Sequence, residues 1–264
     1  MEGPSLYLAA AQLKPFRKKV VIAVSGNSKI EKERMDGKEA IDIFAWGKHL
    51  VIQFDSFALR THFLLYGTFE AEVDGTWVTG DYRRAREPRL TLAFANGVIN
   101  MYNCSVKLVE DAHAKRAYDF TIDIMSPKWD GEKALRALKE ESGEEIADVL
   151  LDQERFAGVG NIIKNEVLSI TRVNPEARVG TLSPKKRREI VEAARAYSAQ
   201  FLKWRRKFEL RTHLLVHRKS ACPHCGTKLL RRKTGKRERW SYWCSICQAM
   251  PVLKAPMPER EQAR

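Results

Sequence analysis

Apolar and polar positions change rhythm twice along the chain. Residues 5–13 (SLYLAAAQL) have helical composition, with Gly3-Pro4 as the start just before them. From there to about Asp123 the pattern alternates and turns like an antiparallel sheet. Segments 20–24, 41–46, 50–54, 58–65, 68–73, 90–94, 98–102 and 106–108 are rich in Val, Ile, Phe and Tyr, and Gly47-Lys48, Asp55-Ser56, Asp74-Gly75 and Asn96-Gly97 punctuate them as turns. About eight short strands at this spacing predict a sandwich or a barrel. Near Ser126-Pro127 the texture changes. Segments 131–141, 146–152, 159–170 and 184–203 carry apolar residues at helical spacing, and Ser183-Pro184 pairs a cap with a first-turn proline. Helices therefore form a second domain, with no internal repeat.

Composition narrows the class. With 44% hydrophobic and 30% charged residues the chain can build a core under a wet surface, which excludes a disordered or a membrane protein. No run approaches the roughly 18 apolar residues that span a bilayer, and Met1-Glu2-Gly3-Pro4 opens no basic-then-apolar signal. A reducing cytoplasmic location, the nucleoid of a bacterium, is expected. The 264 residues carry 47 Lys+Arg against 33 Asp+Glu, a net charge of +14, which suggests a polyanionic partner. That excess is uneven. Residues 218–239 hold nine Lys/Arg and one acid, a net of +8, and smaller clusters lie at 185–188 and around Trp204.

Four of the five cysteines fall at this basic window. Cys222 and Cys225 form one C-x-x-C, Cys244 and Cys247 a second, with 18 residues between the pairs. Two such knuckles complete a tetrahedron of thiolates around one ion, at a Zn–S distance of about 2.3 Å. Turn chemistry in Cys222-Pro223-His224-Cys225-Gly226, with 227–230 and 240–243 as hairpin arms, suits that geometry. In a reducing compartment zinc is expected over disulfides, and a closed four-thiolate shell makes the ion structural. Cys104 reads as a buried small hydrophobe.

Between two predicted helices, Gly158 and Gly160 let the backbone turn tightly and expose its amides at the start of the next helix, where the dipole favours an anion. Asn161 adds an amide donor. A phosphate is the natural guest, and with the basic hairpin this gives two grips on a nucleic-acid backbone.

Residues 153–166 (QERFAGVGNIIKNE) resemble the helix-two-turns-helix signature of the formamidopyrimidine-DNA glycosylase and endonuclease VIII family. The ending 239–248 (RWSYWCSICQ) resembles that family's zinc finger, and Glu2-Gly3-Pro4 and Gly47-Lys48 match in the expected order. The resemblance covers nearly the whole chain. It implies an α+β multidomain architecture: an N-terminal β-sandwich (1–125), a helix-two-turns-helix domain (126–219) and a C-terminal four-cysteine zinc-finger hairpin (220–250). The tail (251–264), which the resemblance does not cover, is too polar and Pro-bearing to fold and is expected to be disordered.

The same resemblance implies a bifunctional enzyme that removes an oxidised base and then nicks the abasic strand. The chemistry needs an amine that attacks sugar C1′, a carboxylic acid that shuttles protons at the sugar oxygen, and a cation near the departing phosphates. Most of the family uses an N-terminal proline before Glu-Gly-Pro. Here Met1 stands in that place, and the bulk of Glu2 is expected to prevent its removal. Its α-amine, with a reference pKa of about 7.7 to 8.0, is the expected nucleophile, and Glu2 the proton shuttle. Lys48 and Arg239 correspond to the family's phosphate-gripping lysine and finger arginine. Asn161 and Gly160 carry over as the phosphate-binding turn. His62, Leu64, Leu65 and Tyr66 sit where endonuclease VIII-like members keep the loop that fills the gap left by a flipped-out base.

Two departures are plain. Leu64 replaces a usually polar wedge residue, and Ile124-Met125-Ser126-Pro127 offers no counterpart to the arginine common before the helical domain. Residues 208–221 are too short for the Gly-rich base-capping segment of members that prefer 8-oxoguanine, so oxidised pyrimidines are favoured by analogy. The expected partner is damaged duplex or single-stranded DNA, met by a monomer. The rival readings are a non-catalytic binder of damaged or abasic DNA, and a zinc-ribbon module on an unrelated β-domain.

Overall fold

A computed structural model describes residues 1–79, 87–110 and 113–251. The polar tail expected from 251 lies, from 252 onward, outside the described residues. Helix α1 (Gly3–Gln12) buries Leu6, Ala9 and Ala10 and leads into a seven-stranded antiparallel sheet. The strands are β1 (Val21–Ser25), β2 (Asp42–Trp46), β3 (His49–Gln53), β4 (Ala58–Val73), β5 (Thr76–Thr79), β6 (Leu90–Phe94) and β7 (Gly97–Val109). Their order is β1-β6-β7-β4-β3-β2, with β5 added to β4.

Segments 58–65 and 68–73, expected as two strands, form the single strand β4; 98–102 and 106–108 likewise merge into β7. The break read from the sequence is a register shift between Phe63 and Thr68 in the β4–β7 ladder, where Tyr66 takes φ +64°. An irregularity of this kind bends a strand without ending it. The two halves of the long strands then share one core: Ile43, Leu50, Ile52 and Leu59 from one half join Phe69, Leu92, Ile99 and Met101 from the other. The sandwich is thus one continuous sheet.

Beyond it come α2 (Gly131–Glu140), α3 (Ile146–Leu151), α4 (Asn161–Ile170) and α5 (Pro184–Arg206). Asp130 caps α2 through the amide of Lys133, and Ser183 caps α5 through that of Lys186, at 2.9 and 3.2 Å. Phe156, Ile163, Val167, Ile190 and Phe201 fill a second core. No described helix is long and apolar enough to cross a membrane. A final hairpin pairs β8 (Leu230–Thr234) with β9 (Arg239–Trp243). Its first arm starts later than expected because Thr227 and Lys228 close the first cysteine knuckle: the Thr227 carbonyl accepts the Cys222 amide and Lys228 pairs with Ala221.

Candidate active site and metal centre

Three chain segments meet at glycines. The Gly3 amide donates to the Gly158 carbonyl at 2.8 Å, and a Cβ on Gly3 would lie 2.8 Å from the Gly158 Cα. Gly158 (φ +95°) would in turn press its own Cβ to 3.3 Å from the Gly3 Cα and 3.6 Å from the Gly47 Cα. Only residues without a side chain allow this approach. It brings together Glu2, Lys48 on the β2–β3 turn, and the first turn of α4.

The Glu2 carboxylate accepts the amides of Ile162 (2.7 Å) and Ile163 (3.2 Å) at the start of α4. A Cβ at Gly160 would stand 2.2 to 2.4 Å from Glu2 atoms, so the glycine makes room for that carboxylate. The amides of Ile162 and Ile163, which the helix dipole makes attractive to an anion, are thus taken by a carboxylate of the chain itself. Asn161 donates its side-chain amide to the Trp240 carbonyl at 2.9 Å, while its Oδ1 is buried with no partner among the described residues.

Lys48 is half-buried. Burial pushes its ammonium below the usual lysine range; Glu2 opposes this, and Arg239 and Arg237 add to it. Buried Asp123 secures the turn that carries it, accepting the amides of Gly47 (3.0 Å) and Met125 (2.8 Å). Burial raises the Asp123 carboxyl, and its backbone donors work against that. The Met1 side chain packs on the sheet core, and its amine lies close enough to His62 to depress that imidazole, second only to burial. His62 pairs across the ladder with His49, ring centroids 5.3 Å apart, and burial carries His49 down to about 4. Both line a cavity of about 180 Å³ with Arg60, Ser105 and Lys107. Leu64, Leu65 and Tyr66 are exposed at the β4 irregularity, 45%, 68% and 56%, which sets them apart from the buried residues on either side.

Arg239 opens β9 and is itself exposed. Its hairpin is held at two places. At the tip, Asp148 of α3 accepts the amides of Lys236 (2.7 Å) and Arg237 (3.3 Å), filling the space a Cβ on Gly235 would need. Along the edge, Asn165 of α4 donates to the Trp240 carbonyl (3.2 Å) and accepts the Tyr242 amide (3.2 Å). The signature segment has internal duties as well. Gln153 donates to the Leu151 and Val159 carbonyls and accepts the Gly158 amide, stapling the tight turn. Glu166 accepts the amides of Leu215, Val216 and His217.

The ligand atoms of Cys222, Cys225, Cys244 and Cys247 all lie within 4.8 Å of one another. The Cys222–Cys247 and Cys225–Cys244 sulfur separations are 3.9 and 3.5 Å, near the roughly 3.8 Å that tetrahedral Zn–S bonds impose. The amides of His224 and Cys247 point at the Cys222 and Cys244 sulfurs at 3.4 Å, as donors that favour thiolates. All four expected metal ligands therefore come together, as do Glu2, Lys48, Gly160 and Asn161. Asp123, Asp148, Lys164 and Asn165 have no counterpart among the expected residues. The one available signal was the run Lys164-Asn165-Glu166 in the middle of an otherwise apolar helix.

Comparisons with known proteins agree with this layout. Residues 122–202 match the formamidopyrimidine-DNA glycosylase H2TH domain. "Probable endonuclease 8 2" of Streptomyces coelicolor is 30% identical over 240 residues, 85% of this chain and 83% of that protein. "Endonuclease 8-like 3" of Mus musculus is 32% identical over 206 residues, 76% of this chain, and this chain spans only 33% of that relative's length. Among solved structures, a viral DNA glycosylase and the Lactococcus lactis formamidopyrimidine DNA glycosylase bound to DNA with an AP site each superpose with a TM-score of 0.79 at 21% identity, over 94% of this chain and all of theirs.

Proposed function

The chain belongs to the formamidopyrimidine-DNA glycosylase and endonuclease VIII family, and on that premise we propose that it excises oxidised bases from DNA and then cleaves the abasic strand. The observation that carries this reading is Glu2. Its carboxylate is pinned by two helix amides immediately beside the residue that stands in the nucleophile's place, and Lys48 lies within electrostatic reach of both Glu2 and Arg239.

The Met1 amine, in its neutral form, attacks sugar C1′. The new C1′–N bond forms as the glycosidic bond breaks, and that bond's electron pair leaves with the base. The Glu2 carboxylate takes a proton from the nitrogen once that bond has formed and delivers it to the sugar ring oxygen as the C1′–O bond opens, which leaves a protonated imine, while the departing base takes a proton from water. Loss of a C2′ proton to the Glu2 carboxylate sends its electron pair toward the protonated imine, and the enamine so formed expels the 3′ phosphate as the C3′–O bond breaks, its developing charge met by Lys48 and Arg239. Leu64, Leu65 and Tyr66 fill the stack vacated by the extruded nucleotide, and His62 stands beside the amine. Asn161 presents the remaining face of the α4 turn to the DNA backbone.

Cys222, Cys225, Cys244 and Cys247 would hold one structural zinc, which supplies folding energy to the hairpin rather than chemistry. Oxidised pyrimidines are the favoured lesions. The stretch after α5 is tied to α4 by Glu166, which leaves little chain for a base-capping flap. The protein acts as a monomer on DNA, in a bacterium at the nucleoid.

Borohydride trapping on an abasic-site duplex, with peptide mapping of the adduct, tests the assignment. A covalent adduct on residue 1 is expected. No adduct, or one mapped elsewhere, sinks the Met1 mechanism, and retained binding without excision would favour a non-catalytic binder.

A further inference from the structure

Lys164 is fully buried in α4, among the least accessible charged side chains described. Its ammonium reaches the Ser241 hydroxyl at 2.7 Å and the Trp240 carbonyl at 3.4 Å, and no carboxylate lies within ion-pair distance among the described residues. Burying an unpaired ammonium is expensive, and an apolar residue of the same length would fill the space at no such cost. The lysine must therefore do something a methionine cannot.

Its surroundings indicate what. Ser241 is also bonded to Thr234 at 2.6 Å, so a polar chain runs from α4 across β9 to β8. Thr234 pairs across the hairpin with Arg239, and Ser241 follows Arg239 by two residues, so all three project from the same face. Four other charged or titratable groups face Lys164. Arg239 on β9 opposes its charge, Asp148 on α3 and Glu2 beside α4 favour it, and His217, after α5, is itself lowered by it. Burial dominates and brings the ammonium down to about 7.

Resting on the glycosylase reading above, we propose that Lys164 is a positioning residue. It fastens the strand bearing Arg239 to α4 and takes up one proton from solvent when a DNA phosphate docks on Arg239. The docked phosphate neutralises the guanidinium whose repulsion otherwise disfavours the charged lysine. The buried cation then adds to the attraction for the phosphate without touching it.

The test measures affinity for a duplex carrying a tetrahydrofuran abasic analogue, which is not cleaved, from about pH 6.5 to about pH 8. One linked proton weakens wild-type binding by about five- to tenfold over that span. The reference pKa of an α-amine, about 7.7 to 8.0, falls in the same range, so the lysine's share is the difference between wild type and K164M. The variant is expected to bind more weakly at the lower pH and to lose most of the pH dependence, with zinc content and melting temperature confirming its fold. S241A, which keeps the charge and removes its anchor, is expected to weaken binding at every pH and keep the slope.

A K164M protein with the wild-type affinity and slope overturns the proposal, as does an S241A protein indistinguishable from wild type. If K164M fails to fold, a flat wild-type profile across this range overturns it equally. A wild-type protein that binds this duplex no better than undamaged DNA overturns the glycosylase reading itself, whereas one that discriminates without any lysine-dependent slope overturns only the role of Lys164.

Discussion

Replacing Gly160 with alanine separates the position of the Glu2 carboxylate from its presence. Gly160 caps α4 with φ −118° and ψ −168°, extended backbone that alanine adopts without strain. The added Cβ would stand 2.2 to 2.4 Å from Glu2 Cγ, Cδ and Oε1, and nothing in that contact is backbone. The side chain of Glu2 must therefore swing away by about 1 Å or more to regain van der Waals separation, giving up its bonds to Ile162 and Ile163. Two charge-assisted bonds are lost but water can replace them in part, so the stability cost is about 1–3 kcal/mol. The kinetic cost is larger relative to its cause. A reacting group misplaced by about 1 Å typically loses about 100-fold in rate, or about 2.7 kcal/mol of barrier. Single-turnover excision of an oxidised pyrimidine should fall by that factor while affinity for the uncleavable abasic duplex changes little. A G160A protein that excises at the wild-type rate would refute the placement of Glu2 as the proton carrier at α4.

Three further outcomes follow from the geometry. Asp123→Asn should lower strand cleavage about tenfold with a smaller effect on melting, since an amide group turns a donor toward either Gly47 or Met125 and loosens the Lys48 turn, at about 1–3 kcal/mol for the unmet bond; unchanged cleavage kinetics would contradict it. Cys244→Ser should reduce bound zinc below one per chain and weaken DNA binding at least about tenfold, measured by elemental analysis and anisotropy, because a metal held by the four cysteines would supply folding energy to the hairpin that carries Arg239. Burial holds both His49 and His217 at about 4, so the folded protein keeps them neutral where the unfolded chain begins to protonate near 6.5. Stability is then complete above that pH and falls as acidity increases toward 4, by up to about 3 kcal/mol for each ring. His217→Phe should flatten the decline in melting temperature over this window, and a slope identical to wild type would exclude His217 as a cause.

Much of this was legible because the relevant signals are local. The spacing of four cysteines, the Ser183-Pro184 helix start and the Gly47-Lys48 turn each depend on a few adjacent residues, and each appears where expected. The irregularity at 64–67 was legible as a break but not as a bend, since only the β4–β7 register distinguishes the two. Asp123 read only as the end of the alternating, sheet-like stretch. Its role depends on Gly47, far away in sequence, coming to rest against it. Lys164, Asn165 and Glu166 escaped for the opposite reason. On a helix buried on one face they would point to solvent, but β9 and residues 215–217 cover that side too, and the polar groups turn inward to bond main-chain atoms and the Ser241 hydroxyl.

These contacts place the proposed chemistry at a boundary rather than inside any domain. Glu2 precedes the first helix of the sandwich, yet its two hydrogen bonds are to α4 of the helical domain. The Lys48 turn belongs to the sandwich sheet, yet Asp123 at the entry to the helical domain holds it. Arg239 belongs to the hairpin, whose tip and edge are fastened by α3 and α4. A separation of the sandwich from the helical domain by about 1 Å at the glycine contact would stretch the Glu2 bonds beyond the hydrogen-bonding limit and would move Lys48 away from Arg239 at the same time. Docking of the domains and assembly of the site are therefore one equilibrium. A substitution at the Gly3, Gly47 or Gly158 contact should lower activity by depopulating the closed arrangement, even where every proposed catalytic residue is intact.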